Sequence, residues 1–190
     1  MANVKDIRVA AIATDGVEEA ELIEPVKALR DAGAIVEIIS LQAGDIQCFK
    51  HHDKASRVKA DKAIHDVRPT DYEALLLPGG ALSADALRVN TDVKRFVQSF
   101  DRRQKPIAFI CHAPWLLISA CLVRDRTLTG FHTIEDDIRN AGGHWVDRDV
   151  VLDYNWVSSR QPDDIPAFNR EMLVTFAEFS QKKQTTAQSK

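Results

Sequence analysis

No stretch of this chain is both long and apolar, and no hydrophobic run approaches the roughly 20 residues that a membrane-spanning helix needs. Cysteine is scarce. Cys48, Cys111 and Cys121 are an odd number without a Cys-x-x-Cys pair, which argues against a disulfide framework and a zinc site and for a reducing compartment. Positive charge is not concentrated either. The net charge is -3 and Lys and Arg are scattered, so the footprint of a nucleic-acid binder is missing. The N-terminal MANVKDIRVA lacks the apolar core of a signal peptide. A cytoplasmic location away from membranes is therefore expected. Gly-x-Gly-x-x-Gly, Walker and His-Glu-x-x-His motifs are absent, which excludes nucleotide-dependent and zinc-peptidase chemistry at motif level. No cofactor and no metal is expected.

What is present has a globular balance, 45% hydrophobic and 28% charged residues in a chain of 190. That suits one domain over residues 1–180, followed by a flexible tail at 181–190 that carries no core residues. Short apolar runs at Ile7–Ala13, Ala34–Leu41, Ala74–Leu77 and Ile107–Ile110 read as strands buried on both faces. Between them, Val93, Phe96, Val97 and Phe100 repeat at helical spacing. Pro25 predicts a short turn over 18–23 and a fresh helix from Pro25 onwards. Residues 42–69 are weakly patterned and suit a small hairpin or an irregular excursion. Thr133 and Asp136 match a capping box. Late strands are expected at Val150–Leu152 and Trp156–Val157, and a last helix capped by Asp163 or Asp164. Alternating strands and helices predict an α/β fold, helices sandwiching a mostly parallel sheet, with sites at the C-terminal strand ends.

Cys111 stands at such an end. The buried run Ile107–Ile110 precedes it, and Pro114 opens an apolar helix only three residues later. A corner this sharp pushes one side chain out over the sheet edge and aims helix N–H groups at it. A thiol so placed should ionise easily. The competing reading is a buried core cysteine. Two further segments end strands on the same side, Thr14–Glu18 and Pro78–Gly80, and their convergence favours function. Glu18 would hang over the sheet edge beside Cys111, or else be a solvated helix-start carboxylate. Gly80 and the His112 N–H would form an oxyanion site, although Gly79-Gly80 also suits a plain turn. The side chain of His112 need not face Cys111. His132 would line the pocket or lie in solvent. Cys121 reads as a core residue and Cys48 as a loop thiol.

The segments VEEAELIEPV (17–26), LLLPGG (75–80), AFICHAPWLLISA (108–120), DDIRNAGGHWVD (136–147) and VVLDYNWVSSRQPDDIPAFNRE (150–171) together resemble the ThiJ/PfpI superfamily. The likeness is strongest to its PfpI-type branch of intracellular cysteine peptidases, general stress proteins and deglycases. The resemblance implies a flavodoxin-like three-layer αβα sandwich, related to the class I glutamine amidotransferase domain. It matches Cys111 to the nucleophile, Glu18 to the glutamate beside it, His112 to the following histidine and Gly80 to the oxyanion glycine. It also implies an acidic partner for His112 from a neighbouring subunit, here Asp85, within homodimers or hexamers of dimers. Ala113, Phe109 and Phe131-His132-Thr133 stand where the family usually has Gly, a smaller residue and Tyr-Pro-Gly. They are expected to narrow and reshape the pocket.

The function so implied is a stress-response enzyme using a cysteine nucleophile in hydrolase-type chemistry. Its substrates would be a peptide, a small carbonyl compound such as methylglyoxal, or glycated protein. The alternative is a redox-sensing or holdase chaperone in which Cys111 oxidises without turnover. A glutaminase domain is excluded, because the last histidine, His144, is followed by Trp145 and Val146 rather than by the required His-x-Glu.

Overall fold

The computed structural model describes residues 4–188, and their side chains through residue 180. In chain order the elements are β1 (Arg8–Ile12), β2 (Val17–Glu18), α1 (Glu19–Asp31), β3 (Ile35–Ser40), β4 (Gly44–Lys50), β5 (Asp53–Ala60), β6 (Lys62–Ala63) and β7 (Ala74–Leu77). Then come α2 (Ala81–Val89), α3 (Thr91–Arg102), β8 (Ile107–Ile110), α4 (Pro114–Ser119), β9 (Thr127–Leu128), α5 (Glu135–Asn140), β10 (His144–Trp145), β11 (Val150–Asp153), β12 (Trp156–Ser159) and α6 (Ile165–Gln188). Seven strands form one sheet in the order β11-β12-β8-β7-β1-β3-β6. All its pairings are parallel except β11 with β12.

Alternation along the strands builds two cores. Val9 and Ala11 of β1 pack with Leu22, Val26 and Leu29 of α1 and Phe168, Met172 and Phe176 of α6. Ala10 and Ile12 face the other way, towards Val93, Phe96, Val97 and Phe100 of α3 and Leu116 and Leu117 of α4. Because successive strand side chains point to opposite faces, an all-apolar strand such as β7 needs a helical layer on both sides. The chain moves from β1 to β3 on one side and from β7 to β8 on the other. The order reverses between β1 and β7, and the loops leaving their C-terminal ends meet there, Thr14 N–H donating to Ser83 Oγ at 3.1 Å and Glu18 N–H to Gly79 O at 3.4 Å.

Several elements differ from the sequence expectation. Helix α1 does not restart at Pro25 but runs unbroken from Glu19 with Pro25 inside it. Proline lacks the N–H that would reach the Glu21 carbonyl one turn back, and the packing of Leu22, Val26 and Leu29 outweighs that loss. Helix α2 has no counterpart in the reading, because its buried face consists of Ser83, Ala84 and Leu87 and gives little apolar periodicity. The 42–69 segment does hold the expected small hairpin, β4 against β5, which β2 joins into a separate sheet, while β6 returns to the main sheet beside β3. The predicted capping box does not form, since α5 follows a single 3₁₀ turn and its N-cap is Ile134. The carboxylate of Asp164 is engaged by the Arg160 guanidinium at 2.9 Å. The segment read as a tail continues α6 through Gln188, and residues 189–190 lie outside those described.

Candidate active site

Cys111 leaves β8 with φ +63°, a left-handed conformation that non-glycine residues adopt at a cost on the order of 1 kcal/mol. Its neighbours hold it there. The Cys111 N–H donates to Ser159 O at 3.1 Å, and its carbonyl accepts from Phe131 N–H at 2.9 Å. Pro114 then opens α4, where its missing N–H would have had no intrahelical partner. The thiol is turned under the edge of the sheet and the residue is 7% exposed. The backbone N–H groups of Gly80 and His112 favour its thiolate, although burial outweighs them. These are the two donors expected for the oxyanion site.

The carboxyl beside the thiol belongs to Glu21 rather than Glu18. Glu21 is fully buried on the inner face of α1, and its Oε2 accepts the Gly79 N–H at 3.0 Å. Its carboxyl adjoins the Cys111 thiol, and each group shifts the pKa of the other. Glu18 sits three residues earlier in β2, and its Oε2 accepts the His51 N–H at 2.9 Å at the turn of the β4–β5 hairpin. It also faces a cleft of about 370 Å³ shared with Glu19, Glu24 and Lys50. The expectation for Glu18 is thus corrected by one helical turn, and the cause is the unbroken α1. With the helix starting at Glu19, residue 21 shares the stripe of Leu22, Pro25 and Val26 that faces the sheet.

Burial raises the Glu21 carboxyl to about 8, assisted by the charge of Glu18 and opposed by the hydrogen bonds from Cys111 and Gly79. Burial also pushes the Cys111 thiol up, and the charge of Glu21 adds to it, while the Gly80 and His112 N–H groups work against both. The easily ionised thiol expected from the sequence is therefore not the resting state. Burial thus keeps the proton on both acids at neutral pH, and because they adjoin they titrate as a coupled pair.

The side chain of His112 faces Cys111, an orientation the sequence left open. Its Nδ1 lies 3.1 Å from Sγ. The ring packs against Trp115, with centroids 5.1 Å apart and planes at 61°, and against Phe131 at 4.9 Å and 31°. Burial, with a smaller contribution from His132, lowers the His112 pKa and so favours the neutral ring. His132 stacks behind Phe131 at 4.4 Å and is exposed.

Other expected residues lie elsewhere. Ala113 is buried in the α3/α4 core, and its N–H is taken by Ile110 O at 3.1 Å, so it neither lines the pocket nor serves an oxyanion. Phe109 is in that same core, edge-on to Trp156 at 5.4 Å, and does not narrow the site. Asp85 is exposed on α2, and among the described residues no hydrogen bond or ion pair joins it to His112 within one chain. The readings of the other two cysteines are reversed. Cys48 is fully buried in β4 with its thiol raised to about 11, by burial first, and Cys121 is exposed beyond α4.

The DJ-1/PfpI family profile matches residues 7–175. The putative cysteine protease YraA of Bacillus subtilis is 43% identical over 166 residues, covering 87% of this chain and 96% of that protein. Protein/nucleic acid deglycase 2 of Escherichia coli is 42% identical over 167 residues, covering 87% of this chain and 95% of that one. Among solved structures, DJ-1 of Schizosaccharomyces pombe superimposes with a TM-score of 0.80 at 18% identity, over 93% of this chain and 98% of its own, a likeness of fold.

Proposed function

The chain belongs to the DJ-1/PfpI family, and from that premise we propose that it is a cysteine-dependent enzyme of hydrolase type acting on small carbonyl compounds. Methylglyoxal and its adducts on protein are the substrate class, in a cytosolic stress-response role. Support comes from one observation above the rest, the 3.1 Å approach of His112 Nδ1 to a Cys111 sulfur whose thiolate the Gly80 and His112 N–H groups favour.

The chemistry follows from these positions. Nδ1 takes the thiol proton and Sγ attacks the aldehyde carbon. The S–C bond forms, the carbonyl π pair moves to oxygen, and the oxygen then recovers the proton from His112, giving a hemithioacetal. The Gly80 and His112 N–H groups stand where charge passes from sulfur to oxygen. Glu21, protonated below about pH 8, neither repels the thiolate nor deprives it of a donor. Small carbonyls are favoured over peptide bonds because Cys111 is only 7% exposed, beside a His112 ring packed between Trp115 and Phe131. A peptide backbone needs an open groove. The sensor or holdase reading gains nothing here, since peroxide-sensing thiols are exposed and acidic.

An oligomer in which a partner's carboxylate, Asp85, reaches His112 belongs to the same proposal, supported by the exposure of Asp85 on α2. The decisive experiment is turnover of methylglyoxal, a glycated peptide and casein by wild type and Cys111→Ala. Wild type should consume the first two, and Cys111→Ala none. Equal activity in Cys111→Ala would sink the proposal.

A further inference from the structure

Each ring nitrogen of His112 has its own neighbour. Nδ1 meets Cys111 Sγ at 3.1 Å, and Nε2 lies 3.5 Å from Thr133 Oγ1. A neutral imidazole carries one N–H and one lone pair, and its surroundings choose which nitrogen holds which. For Nδ1 to take the thiol proton, the N–H must sit on Nε2. A hydroxyl oxygen at that edge favours this tautomer, because it accepts an N–H.

We propose that Thr133 is a positioning residue for His112, its hydroxyl accepting Nε2–H and so keeping the lone pair of Nδ1 turned to the Cys111 thiol within a single chain. This rests on the reading of Cys111 as nucleophile, but its test does not need turnover.

Three observations carry it. First, the Thr133 side chain takes no capping role, since α5 has Ile134 as its N-cap and no side-chain cap bond. Second, its backbone is tied to the elbow by a short relay. Phe131 N–H donates to Cys111 O at 2.9 Å, and Ile134 N–H donates to Phe131 O at 3.0 Å. These bonds flank Thr133 and fasten the 131–134 turn to the elbow. Third, Trp115 and Phe131 pack against the His112 ring and restrict its rotation, so the nitrogen edges keep their directions.

The charged and titratable groups around the ring come from every packed element. Glu21 of α1 stands behind Cys111, and His132 of the 3₁₀ turn stacks on Phe131. Asp137 of α5 accepts the Trp115 indole N–H at 2.7 Å, and Arg88 of α2 lies 5.4 Å from the Trp115 ring. Asp85, also on α2, is exposed and engages His112 only if a second copy presents it. Among these side chains, Thr133 is the one placed at Nε2.

The test compares wild type, Thr133→Val, Thr133→Ser and Asp85→Ala by ¹⁵N NMR of histidine-labelled protein and by the rate of Cys111 carboxamidomethylation at pH 7. Wild type and Thr133→Ser should show His112 as the Nε2–H tautomer. Thr133→Val should show a mixture, with the Cys111 rate lowered about threefold to tenfold, the cost of one hydrogen bond. An unchanged tautomer and rate in Thr133→Val would overturn the proposal, as would an equal loss in Thr133→Ser, which keeps the hydroxyl. A tautomer change in Asp85→Ala with none in Thr133→Val would also overturn it, by giving the position to the partner's carboxylate. Should Cys111→Ala retain full turnover while the tautomer still follows Thr133, the proposed function falls and the positioning role stands.

Discussion

Gly79 and Glu21 are in direct contact. The Gly79 N–H donates to Glu21 Oε2 at 3.0 Å, and a Cβ built on Gly79 would stand 2.4 Å from that oxygen and 2.5 Å from the Cys111 Cβ. The absence of a side chain at residue 79 is what lets helix α1, strand β7 and the elbow after β8 converge on one thiol. The adjoining Gly80 has φ +88° and an equally crowded position against Gly16 O, and its N–H favours the thiolate.

Gly79→Ala should therefore damage stability and site together. Overpacking costs about 1–3 kcal/mol, and urea unfolding should show a loss in that range. Cys111 reactivity should change as well, because the methyl displaces Glu21 or the elbow. A variant as stable as wild type with an unaltered alkylation profile would show that the three segments have slack.

The cysteines should separate by accessibility. Cys121, exposed beyond α4, should alkylate first. Cys48, buried with its thiol raised to about 11, should stay silent until unfolding. Cys111 should be the one whose rate depends on its neighbours, and Cys121→Ser provides the clean background for measuring it. Peptide-resolved mass spectrometry after brief iodoacetamide treatment gives the order, and early labelling of Cys48 would contradict the buried β4 face.

Much of this is legible in the sequence itself. Strands β1, β7 and β8 are continuous apolar runs, and α3 carries Val93, Phe96, Val97 and Phe100 on one face, so the sheet and the elbow at Cys111 follow from periodicity. Glu21 was not legible because Pro25 looked like a helix start. Local propensity put residue 21 outside the helix, and tertiary packing overrode it. Had the helix been extended back through Pro25, Glu21 would have fallen four residues before it on the buried stripe. Cys48 shows the same limit. Its inward direction is shared with Ile46 two residues earlier, which becomes visible only once 44–50 is known to be a strand.

Assembly gives a third prediction. If the partner's Asp85 reaches His112, Asp85→Ala should lower kcat while leaving the melting temperature within about 2 °C, as for most exposed substitutions. Turnover per chain should also rise with protein concentration as dimers form. Size-exclusion chromatography with activity measured on each fraction checks both. Full activity in a monomeric fraction would confine the machinery to one chain.

The last prediction concerns pH and Glu21. Folding raises its carboxyl from 4.5 to about 8, chiefly through burial. Between those values the folded chain holds a proton that the unfolded chain has released. Stability must then fall as pH rises through that window and level off above about pH 8, by an amount on the order of a few kcal/mol. Glu21→Gln removes the titration and keeps an acceptor for the Gly79 N–H. Its unfolding free energy should match or trail wild type at pH 5 and exceed it at pH 9. Cys111 should respond in parallel. In wild type, ionisation of Glu21 opposes the thiolate, whereas glutamine stays neutral, so the alkylation profile of Glu21→Gln should move to lower pH. Glu18→Gln keeps the acceptor for His51 and should leave most of the stability slope in place, narrowing it only by the loss of one nearby charge. Parallel stability curves for wild type and Glu21→Gln from pH 5 to 9 would mean that Glu21 titrates normally, and that the proton between it and Cys111 is not held by burial.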